Sequence, residues 1–422
     1  MSDDLSVLVV SNEYPNPPID GHKVRILNLL KQIPQGYKFD FMGFGDEIST
    51  QDHERFRSGL GPACKAVELI PASTLERVDS LSQIGRLKNI LFPDVMTIGA
   101  PYYSKELERR IRTRLSSDRY QLVFFGGLNI FRHFDPSTST VPYLVDIVDC
   151  PSLLTWSYVK QERRPFRALK RRLAHTWAVR YEKIHAAKIP NIVMITSVDA
   201  EWIERNCPDS RIWVISNGVD AKQFDRGDSP HRSGAALLFT GVMDYPPNNT
   251  AMLHFIKETF PRIRKENPNV TLTIAGRNPT NELVSMAAST AGVKVTGFVE
   301  DLRKYFEAAT VYVSPLLSGA GLKNKVLEAW SMTLPVVASS VSCSGMAAAD
   351  NRNLLIADSP SEFASKVLAV LSDANLRERL SVEGRATVER DYSWQSRGAM
   401  LGSVFEAILS KKPISPGIYL SA

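Results

Sequence analysis

Hydrophobic residues along the chain fall into two alternating patterns. Short, continuous apolar runs rich in Val, Ile, Leu and Phe predict buried strands, and the stretches between them repeat apolar residues at helical spacing. Continuous apolar strands separated by helices are typical of a parallel sheet covered on both faces. The predicted strands of the first half are Leu5–Val10, Lys38–Met42, Val67–Ile70, Leu122–Phe125, Tyr143–Ile147 and Ile192–Thr196.

A polar stretch interrupts this pattern after Ile215. It begins with Ser216-Asn217-Gly218-Val219-Asp220 and runs to Gly234, a composition typical of turns and linkers. A second series of strands and helices follows, so we predict an α/β protein with two doubly wound domains, residues 1–220 and 221–393. The predicted strands of the second domain are Ala236–Thr240, Thr271–Ala275, Val293–Thr296, Val311–Pro315 and Pro335–Ser339.

Composition excludes several classes of protein. The 422 residues are 44% hydrophobic and 23% charged, which is ordinary for a globular chain and excludes a disordered one. The four cysteines are far apart without a CxxC pair, which argues against a disulfide scaffold and a zinc site. The first residues are acidic and no run of apolar residues is long enough to span a membrane. We therefore predict a cytoplasmic protein.

Two loops after predicted strands combine a glycine with basic residues. Gly21 lies at a predicted helix start, where free backbone N–H groups and the nearby Lys23 and Arg25 favour an anion. Arg277 directly follows Gly276 at the end of a strand and is placed to bind a phosphate bidentately. At both places, an ordinary loop with solvated basic side chains is the alternative.

A third loop carries the strongest pattern. Gly319 and Gly321 follow a strand, and Lys323 and Lys325 begin the next helix, which together predict a phosphate-binding loop. Glu328 comes one turn later. Because a carboxylate repels phosphate, we expect Glu328 to bind the hydroxyl groups of a ribose. The alternative is a surface ion pair with Lys325 at helical spacing, and the flanking sequence favours the functional interpretation.

These segments carry a resemblance to a known family, which has its motifs in the same order and at the same spacing. The chain resembles the retaining glycosyltransferases of family 4, which have the GT-B fold. Within that family, Met243-Asp-Tyr-Pro-Pro-Asn and the segment around Glu328 resemble a branch of bacterial exopolysaccharide-associated sugar transferases. The motifs are Asn217-Gly-Val-Asp, Phe239-Thr-Gly, Ala275-Gly-Arg, Gly297-Phe-Val, Lys325-Val-Leu-Glu-Ala and Pro335-Val-Val-Ala.

The resemblance implies two Rossmann-like domains facing a cleft, with residues 394–422 packing back on the N-terminal domain. The C-terminal domain would bind a nucleotide-diphosphate sugar, and the acceptor, a saccharide or a lipid-linked one, would enter from the N-terminal domain. No metal or other cofactor is expected. The residues expected to bind the donor are Gly21, Arg277 and Lys325 at the diphosphate with Lys323 assisting, Glu328 at the ribose, and the backbone around Phe298 and Val299 at the nucleobase.

The chain departs from the family pattern at two places. Ala320 stands where the family often has a first glutamate, eight positions before Glu328, and no basic residue follows Gly241. His133 and Asp149 are the candidates for contacts with the transferred sugar or the acceptor. A surface histidine and a helix cap at Pro151 are the respective alternatives. The spacing of Asp146 and Asp149 does not favour a metal site.

One segment holds most of the excess positive charge. The net charge is +6, and Lys160–Lys183 contributes nine basic and two acidic residues, so the remainder is nearly neutral. Arg164, Arg167 and Arg171 fall opposite an apolar face at helical spacing. That face consists of Phe166, Leu169, Leu173, Trp177 and Ile184.

Two interpretations of this amphipathic segment stay open. Either its apolar face packs on the sheet and its basic face is solvated, or the segment docks on anionic lipid or a lipid-diphosphate acceptor. We favour the second, hence a peripheral location on the inner face of the membrane. Nucleic acid is not expected as a partner, because no aromatic residues are interleaved on the basic face.

The sequence therefore predicts a glycosyltransferase of polysaccharide or glycoconjugate biosynthesis that acts with retention. Two alternatives remain. A nucleotide-sugar 2-epimerase shares the fold and needs no acceptor, and a non-catalytic nucleotide-sugar-binding protein would fit the missing first glutamate.

Overall fold

The computed structural model describes residues 4–18, 20–46, 49, 52–77, 102–162, 164–226, 234–410 and 415–420. The chain divides into two compact units, residues 1–216 with 394–422 and residues 217–393. The boundary falls four residues before the predicted one because the start of the expected linker packs within the second unit. There the Asn217 side chain donates to Asn324 Oδ1 at 3.0 Å, and the Val219 N–H donates to the Tyr392 carbonyl at 2.8 Å.

Sixteen strands lie within the described part of the chain. Most coincide with the predicted apolar runs to within a few residues. In chain order they are β1 (Leu5–Glu13), β2 (Tyr37–Phe44), β3 (Cys64–Ile70), β4 (Glu76–Arg77), β5 (Tyr102–Tyr103), β6 (Leu122–Gly126), β7 (Tyr143–Val148), β8 (Asn191–Met194), β9 (Arg211–Val214), β10 (Ala236–Thr240), β11 (Thr271–Ala275), β12 (Val293–Val295), β13 (Val311–Ser314), β14 (Val336–Ala338), β15 (Leu355–Ile356) and β16 (Gly417–Leu420).

Helices alternate with these strands. A π-helical turn, Phe255–Thr259, joins two of them. The α-helices of the described residues are α1 (Gly21–Lys31), α2 (His53–Gly59), α3 (Lys105–Leu115), α4 (Leu128–Phe131), α5 (Pro151–Gln161), α6 (Pro165–His185), α7 (Ser197–Glu204), α8 (Pro246–His254), α9 (Phe260–Glu266), α10 (Asn281–Ala288), α11 (Arg303–Ala308), α12 (Asn324–Ser331), α13 (Ser340–Cys343), α14 (Pro360–Ser372), α15 (Ala374–Asp391) and α16 (Trp394–Leu409).

The first unit is built on an eight-stranded parallel sheet in the order β16-β9-β8-β7-β6-β1-β2-β3. Both faces are buried, which explains why its strands are continuously apolar. Val7 and Val9 of β1 face one core cluster with α1 and α16, while Leu8 and Val10 face a second cluster on the other side.

The second unit has a six-stranded parallel sheet in the order β12-β11-β10-β13-β14-β15. The chain order reverses between β10 and β13, so the loops that follow these two strands turn to opposite faces of the sheet. In doubly wound folds, ligands bind at the carboxyl ends of the strands at this point of reversal.

The basic helix α6 does not bury its apolar face on the sheet. Only Ala178 and Glu182 of this 21-residue helix are buried. The apolar face is exposed throughout, with Phe166 84% and Leu169 57% accessible. Arg163, which was included in the charge count of this segment, lies outside the described residues. Nowhere in the described ranges is a helix both long and apolar enough to cross a membrane.

Helix α16 returns the chain to the first unit and lies against the end of α1. The Phe405 ring packs edge-on against Tyr37 with centroids 5.4 Å apart. Two glycines allow the close approach. A Cβ atom on Gly398 would lie 2.2 Å from the Gln32 carbonyl oxygen, and one on Gly402 would lie 2.4 Å from the Pro34 ring.

We predict that Gly398→Ala destabilises the protein by about 1–3 kcal/mol, because the added methyl group forces the helix away from Gln32. Alanine's higher helix propensity opposes this loss by only about 1 kcal/mol. The exposed Ser403 of the same helix gives the matched control, Ser403→Ala. Urea unfolding of both variants checks the prediction, and equal stabilities would contradict it.

Candidate active site

Three consecutive loops are tied together at the carboxyl edge of the second sheet. The Gly241 N–H after β10 donates to the Ala275 carbonyl at 3.1 Å, and the Gly276 N–H after β11 donates to the Gly297 carbonyl at 3.2 Å. Gly276 packs so tightly that a Cβ atom there would lie 1.8 Å from the Gly241 carbonyl oxygen. Only glycine allows these loops to meet, and their meeting places Arg277 beside the end of β10.

Lys325, in the first turn of α12, reaches the same edge. A Cβ atom on Gly241 would lie 2.9 Å from its Nζ. The ammonium donates to Asn248 Oδ1 at 2.6 Å and lies 4.3 Å from the centroid of the Phe239 ring. The Asn248 amide in turn donates to the Val242 carbonyl at 2.9 Å, which fixes its oxygen toward the lysine.

The surroundings of Lys325 oppose its charge. Burial, reinforced by the nearby Lys323 ammonium, lowers the pKa of Lys325 to about 7, and the Glu328 carboxylate only partly offsets this. Burial likewise raises the pKa of Glu328 to about 7. Each side chain therefore sits where its ionised form is incompletely compensated, a pattern typical of binding and catalytic sites.

Arg277 supplies a second cation. Its Nε is buried and finds no hydrogen-bond partner among the described residues. A guanidinium with a buried, unpaired N–H is costly unless an anion or a hydroxyl group completes it. Arg277 and Lys325 thus place two incompletely satisfied cations at the carboxyl edges of β11 and β10.

Lys323 has a different role from Lys325. Its side chain is buried, and its Nζ donates to the carbonyl oxygens of Ala320 and Gly321 at 2.6 and 2.5 Å. The ammonium therefore holds the glycine-bearing loop in shape from within. It also acts on the site at a distance, since it lowers the pKa of Lys325.

The predicted nucleobase region follows β12. Phe298 is 74% exposed directly after Gly297, and Val299 beside it is partly buried. Because Gly297 bonds to Gly276, this exposed aromatic ring belongs to the same group of loops as Arg277.

In the first unit, the two basic residues near Gly21 do not provide free positive charge. Arg25 is fully buried and makes a bidentate ion pair with Asp146, with Nε–Oδ2 at 2.7 Å and Nη2–Oδ1 at 3.1 Å. The Lys23 ammonium lies 2.5 Å from a Glu13 carboxylate oxygen. Gly21 itself is exposed and begins α1, so only its backbone remains for the expected anion contact.

His133 is a buried structural histidine rather than the expected substrate contact. Its Nε2 accepts from the Ser104 N–H at 3.1 Å, and its Nδ1 lies 3.1 Å from the Ile130 carbonyl oxygen, so both ring nitrogens are engaged. The Tyr103 ring stacks on it at 4.7 Å. Burial lowers the pKa of His133 to about 4, which keeps the imidazole neutral.

Asp149 remains a candidate site residue. The N-cap position of α5 is Cys150, one residue after Asp149. The residue before it, Val148, has a φ of 72°, a left-handed conformation that is strained for a β-branched residue. Such strain at a strand end is common next to functional residues.

Sequence reasoning missed Asn248 and Phe239, which orient Lys325. The signal for Asn248 was present, since it ends the Met243-Asp-Tyr-Pro-Pro-Asn motif at the start of α8.

Among the residues described, no three His, Cys, Asp or Glu side chains are grouped to hold a metal ion.

Comparison with known families identifies the region that carries these loops. Residues 234–373 match the family described as "Glycosyl transferases group 1". The matched residues all lie within the second unit. This span includes the second-unit residues of the candidate active site, from Phe239 to Glu328.

Two curated relatives and one solved structure show the likeness. A phosphatidyl-myo-inositol mannosyltransferase of Mycolicibacterium smegmatis is 29% identical over 204 residues, 46% of this chain and 51% of the relative. An uncharacterised 44.6 kDa protein in the cps region of Klebsiella pneumoniae is 25% identical over 37% of this chain and 42% of the relative. The matches thus span about half the length of the curated relatives.

The solved structure of Anabaena Alr3699/HepE in complex with UDP and glucose is 11% identical. It covers 95% of this chain and 99% of its own, with a TM-score of 0.61. This likeness confirms the predicted GT-B fold, in which two Rossmann-like domains are linked in one chain.

We predict that Glu328→Gln stabilises the protein at pH 8 by roughly 1–3 kcal/mol and much less at pH 5. Because folding raises the pKa of Glu328, the free energy of unfolding falls as the pH rises from the pKa of an unfolded glutamate toward about 7. Glutamine does not ionise, so the variant does not show this fall. Glu300→Gln, at an exposed position, is the control. Urea unfolding at both pH values tests the prediction, and a gain that does not depend on pH would contradict it.

Proposed function

We propose that the protein is a glycosyltransferase that moves a sugar from a nucleotide-diphosphate sugar to a saccharide or lipid-linked acceptor. The observation that carries the proposal is the pair of incompletely satisfied cations, Arg277 and Lys325, at the point of strand reversal in a glycosyl transferases group 1 domain. A diphosphate would supply the hydrogen-bond acceptors and the negative charge that both side chains lack. The relative named as a mannosyltransferase and the neighbour crystallised with UDP and glucose support this donor class.

The remaining side chains of the second unit suit the other parts of such a donor. Glu328 is a hydrogen-bond acceptor one turn along α12 from Lys325, which suits ribose hydroxyl groups. The exposed Phe298 ring offers an apolar surface for a nucleobase, and the backbone near Val299 offers hydrogen-bonding groups for its edge. The relative in a cps region supports a role in polysaccharide biosynthesis.

The chemistry requires stabilisation of the departing diphosphate while the sugar acquires positive charge. Two cations held in a partly desolvated place by a rigid scaffold supply this electrostatically. We therefore propose transfer without a metal cofactor. We also propose retention at the anomeric carbon, with the donor phosphate receiving the proton of the acceptor hydroxyl. Activity that survives EDTA supports the first point, and loss of activity restored by Mg²⁺ would overturn it.

A thermal-shift screen of nucleotides and nucleotide sugars tests the proposed donor class, because a ligand that binds the native state raises its melting temperature. Product analysis by mass spectrometry and NMR then separates the alternatives. A glycosylated acceptor supports the transferase, and an isomerised nucleotide sugar without an acceptor indicates an epimerase. Binding without turnover across the acceptor panel would indicate a non-catalytic binding protein.

We predict that Lys325→Ala and Asn248→Ala each weaken nucleotide binding by at least about tenfold, the usual cost of losing a charge-assisted hydrogen bond. We do not expect Asn248 to contact the diphosphate. It acts by holding the Lys325 ammonium in place. Lys304→Ala, at an exposed position of α11 in the same unit, is the control. Isothermal titration calorimetry measures the affinities, and unchanged values in both test variants would contradict the site assignment.

We further propose that α6 docks the protein on an anionic membrane surface. Its exposed apolar face offers Phe166 and Leu169, and Arg164 and Arg167, which are also exposed, lie on the opposite, basic side. Apolar insertion combined with basic side chains at the headgroups is typical of helices that lie in the membrane interface. Such docking would bring the enzyme to a lipid-linked acceptor.

We predict that Phe166→Ser/Leu169→Ser and Arg164→Glu/Arg167→Glu each reduce sedimentation with vesicles that contain phosphatidylglycerol. Arg171 is left unchanged because it donates to the Tyr158 carbonyl. Val382→Ser, which alters an exposed apolar residue of α15, is the control. Equal sedimentation of all variants, or binding to neutral vesicles alone, would contradict membrane docking by α6.

A further inference from the structure

The two strands at the point of reversal in the second sheet separate before they end. The last pair in the register of β10 and β13 is Leu238 with Tyr312, although each strand continues for two more residues. Thr240, which ends β10, therefore lies beyond the register with β13. A backbone N–H that leaves a ladder inside the protein needs another acceptor, because an unpaired buried polar group is costly.

The side chain of Tyr312 supplies that acceptor. Its hydroxyl oxygen accepts from the Thr240 N–H at 3.2 Å and is hydrogen-bonded to Thr240 Oγ1 at 3.0 Å. Both residues are buried. The Phe306 ring of α11 stacks on the Tyr312 ring with centroids 5.7 Å apart, which limits the movement of the hydroxyl. A tyrosine side chain thus bridges the gap where the two strands separate.

Thr240 lies between two residues that border the Lys325 ammonium. The centroid of the Phe239 ring lies 4.3 Å from Lys325 Nζ, and a Cβ atom on Gly241 would lie 2.9 Å from the same nitrogen. Because these three residues are consecutive, a shift of Thr240 moves both the aromatic face and the space that the glycine leaves. The hydrogen bonds from Tyr312 therefore fix the surfaces that surround the ammonium.

Tyr312 acts as a neutral hydrogen-bonding group. Burial raises the pKa of its hydroxyl, and the Glu328 carboxylate adds to this rise, so the hydroxyl is protonated at neutral pH. A protonated hydroxyl can donate to Thr240 Oγ1 while it accepts from the Thr240 N–H. Because the side chain is closed to solvent, its effect on a ligand has to pass through Thr240.

We propose that Tyr312 is a positioning residue for nucleotide binding. It holds the end of β10, so that Phe239 and Gly241 set the place of the Lys325 ammonium. This inference rests on the proposed function and adds to it a residue that does not contact the nucleotide. The sequence did not single out Tyr312, because it stands there as one more aromatic residue of a buried strand.

The ionisation of Lys325 in the ligand-free protein tests this role without a nucleotide. Carbon-13 NMR of the lysine Cε atoms follows the titration, and Lys325→Met assigns the signal. In Tyr312→Phe, we expect the midpoint of Lys325 to rise from about 7, because the released end of β10 admits water to the ammonium. Lys323 and Glu328, the charged groups that act on Lys325, are the same in this variant. A midpoint equal to that of the wild-type protein would overturn the proposal.

Affinity for UDP and GDP, measured by titration calorimetry, gives a second readout. We expect Tyr312→Phe to weaken binding by about fivefold, as for one lost hydrogen bond. The matched control is Tyr120→Phe in the first unit, because Tyr120 is also buried and its hydroxyl donates to Asp40 at 2.6 Å. We expect this control to lose stability but no affinity. Unchanged affinity in Tyr312→Phe, or an equal loss in the control, would contradict the proposed role.

Thr240→Val gives the same two readouts if Tyr312→Phe does not fold. It removes Oγ1 and leaves the N–H in place, so we expect a smaller change in the same direction. The absence of any change in both the Lys325 midpoint and the affinity would rule out positioning through Thr240. If the wild-type protein binds no nucleotide, the proposed function fails, while the Lys325 titration still decides the role of Tyr312.

Discussion

The Lys325 ammonium is the group on which the second unit depends. Its charge is opposed by burial and by Lys323, and it is held in place by Asn248 and the face of Phe239. A lysine in such a place costs stability unless an anion arrives. Two glycines make the space for this ammonium. Gly241 has no side chain to collide with the Lys325 ammonium, and Gly276 has none to collide with Gly241.

The same principle separates the roles of the basic residues. Lys323, Lys23 and Arg25 are already satisfied by protein oxygens, so they shape loops and hold elements together. Arg277 and Lys325 are the cations whose hydrogen bonding and charge a bound anion would still complete. The distinction lies in hydrogen-bond satisfaction rather than in residue type, which is why counting basic residues in a glycine-rich loop overestimates the number available to a phosphate.

The first unit uses its buried charges differently. Arg25 and Asp146 neutralise one another inside the protein. Removing either partner would leave an uncompensated buried charge, so the pair holds α1 and β7 in a fixed arrangement. They fix the start of α1, near which Ser11 Oγ and His22 Nε2 are buried without a hydrogen-bond partner among the described residues.

Much of the fold follows from the sequence for simple physical reasons. Continuous apolar runs such as Ala236–Thr240 give strands at the predicted positions, because a strand buried on both faces must be apolar throughout. The strand β9 and the edge strand β15 were missed, since short or half-exposed strands lack that signature. Periodicity correctly indicated that α6 is amphipathic, yet periodicity cannot show what covers an apolar face, and here no described residue covers Phe166.

The site could be predicted only in part. Lys325, Glu328 and Arg277 stand out by residue type after a strand, and the structure brings Arg277 and Lys325 to one edge. His133 misled, because a histidine after a strand looks the same in the sequence whether or not its ring nitrogens are paired within the core. Asn248 gained its importance from a tertiary neighbour, Lys325, that lies 77 positions away in the sequence.

Proton uptake on nucleotide binding tests the central claim most directly. A diphosphate beside Lys325 and Glu328 would raise the pKa of both groups from about 7, so binding at pH 8 must take up protons. Titration calorimetry with UDP and GDP, in buffers of different ionisation enthalpy, measures that uptake. We expect net uptake in the wild-type protein and a clear reduction in Lys325→Met. Nucleotide binding without proton uptake, or uptake that persists undiminished in the variant, would contradict the account.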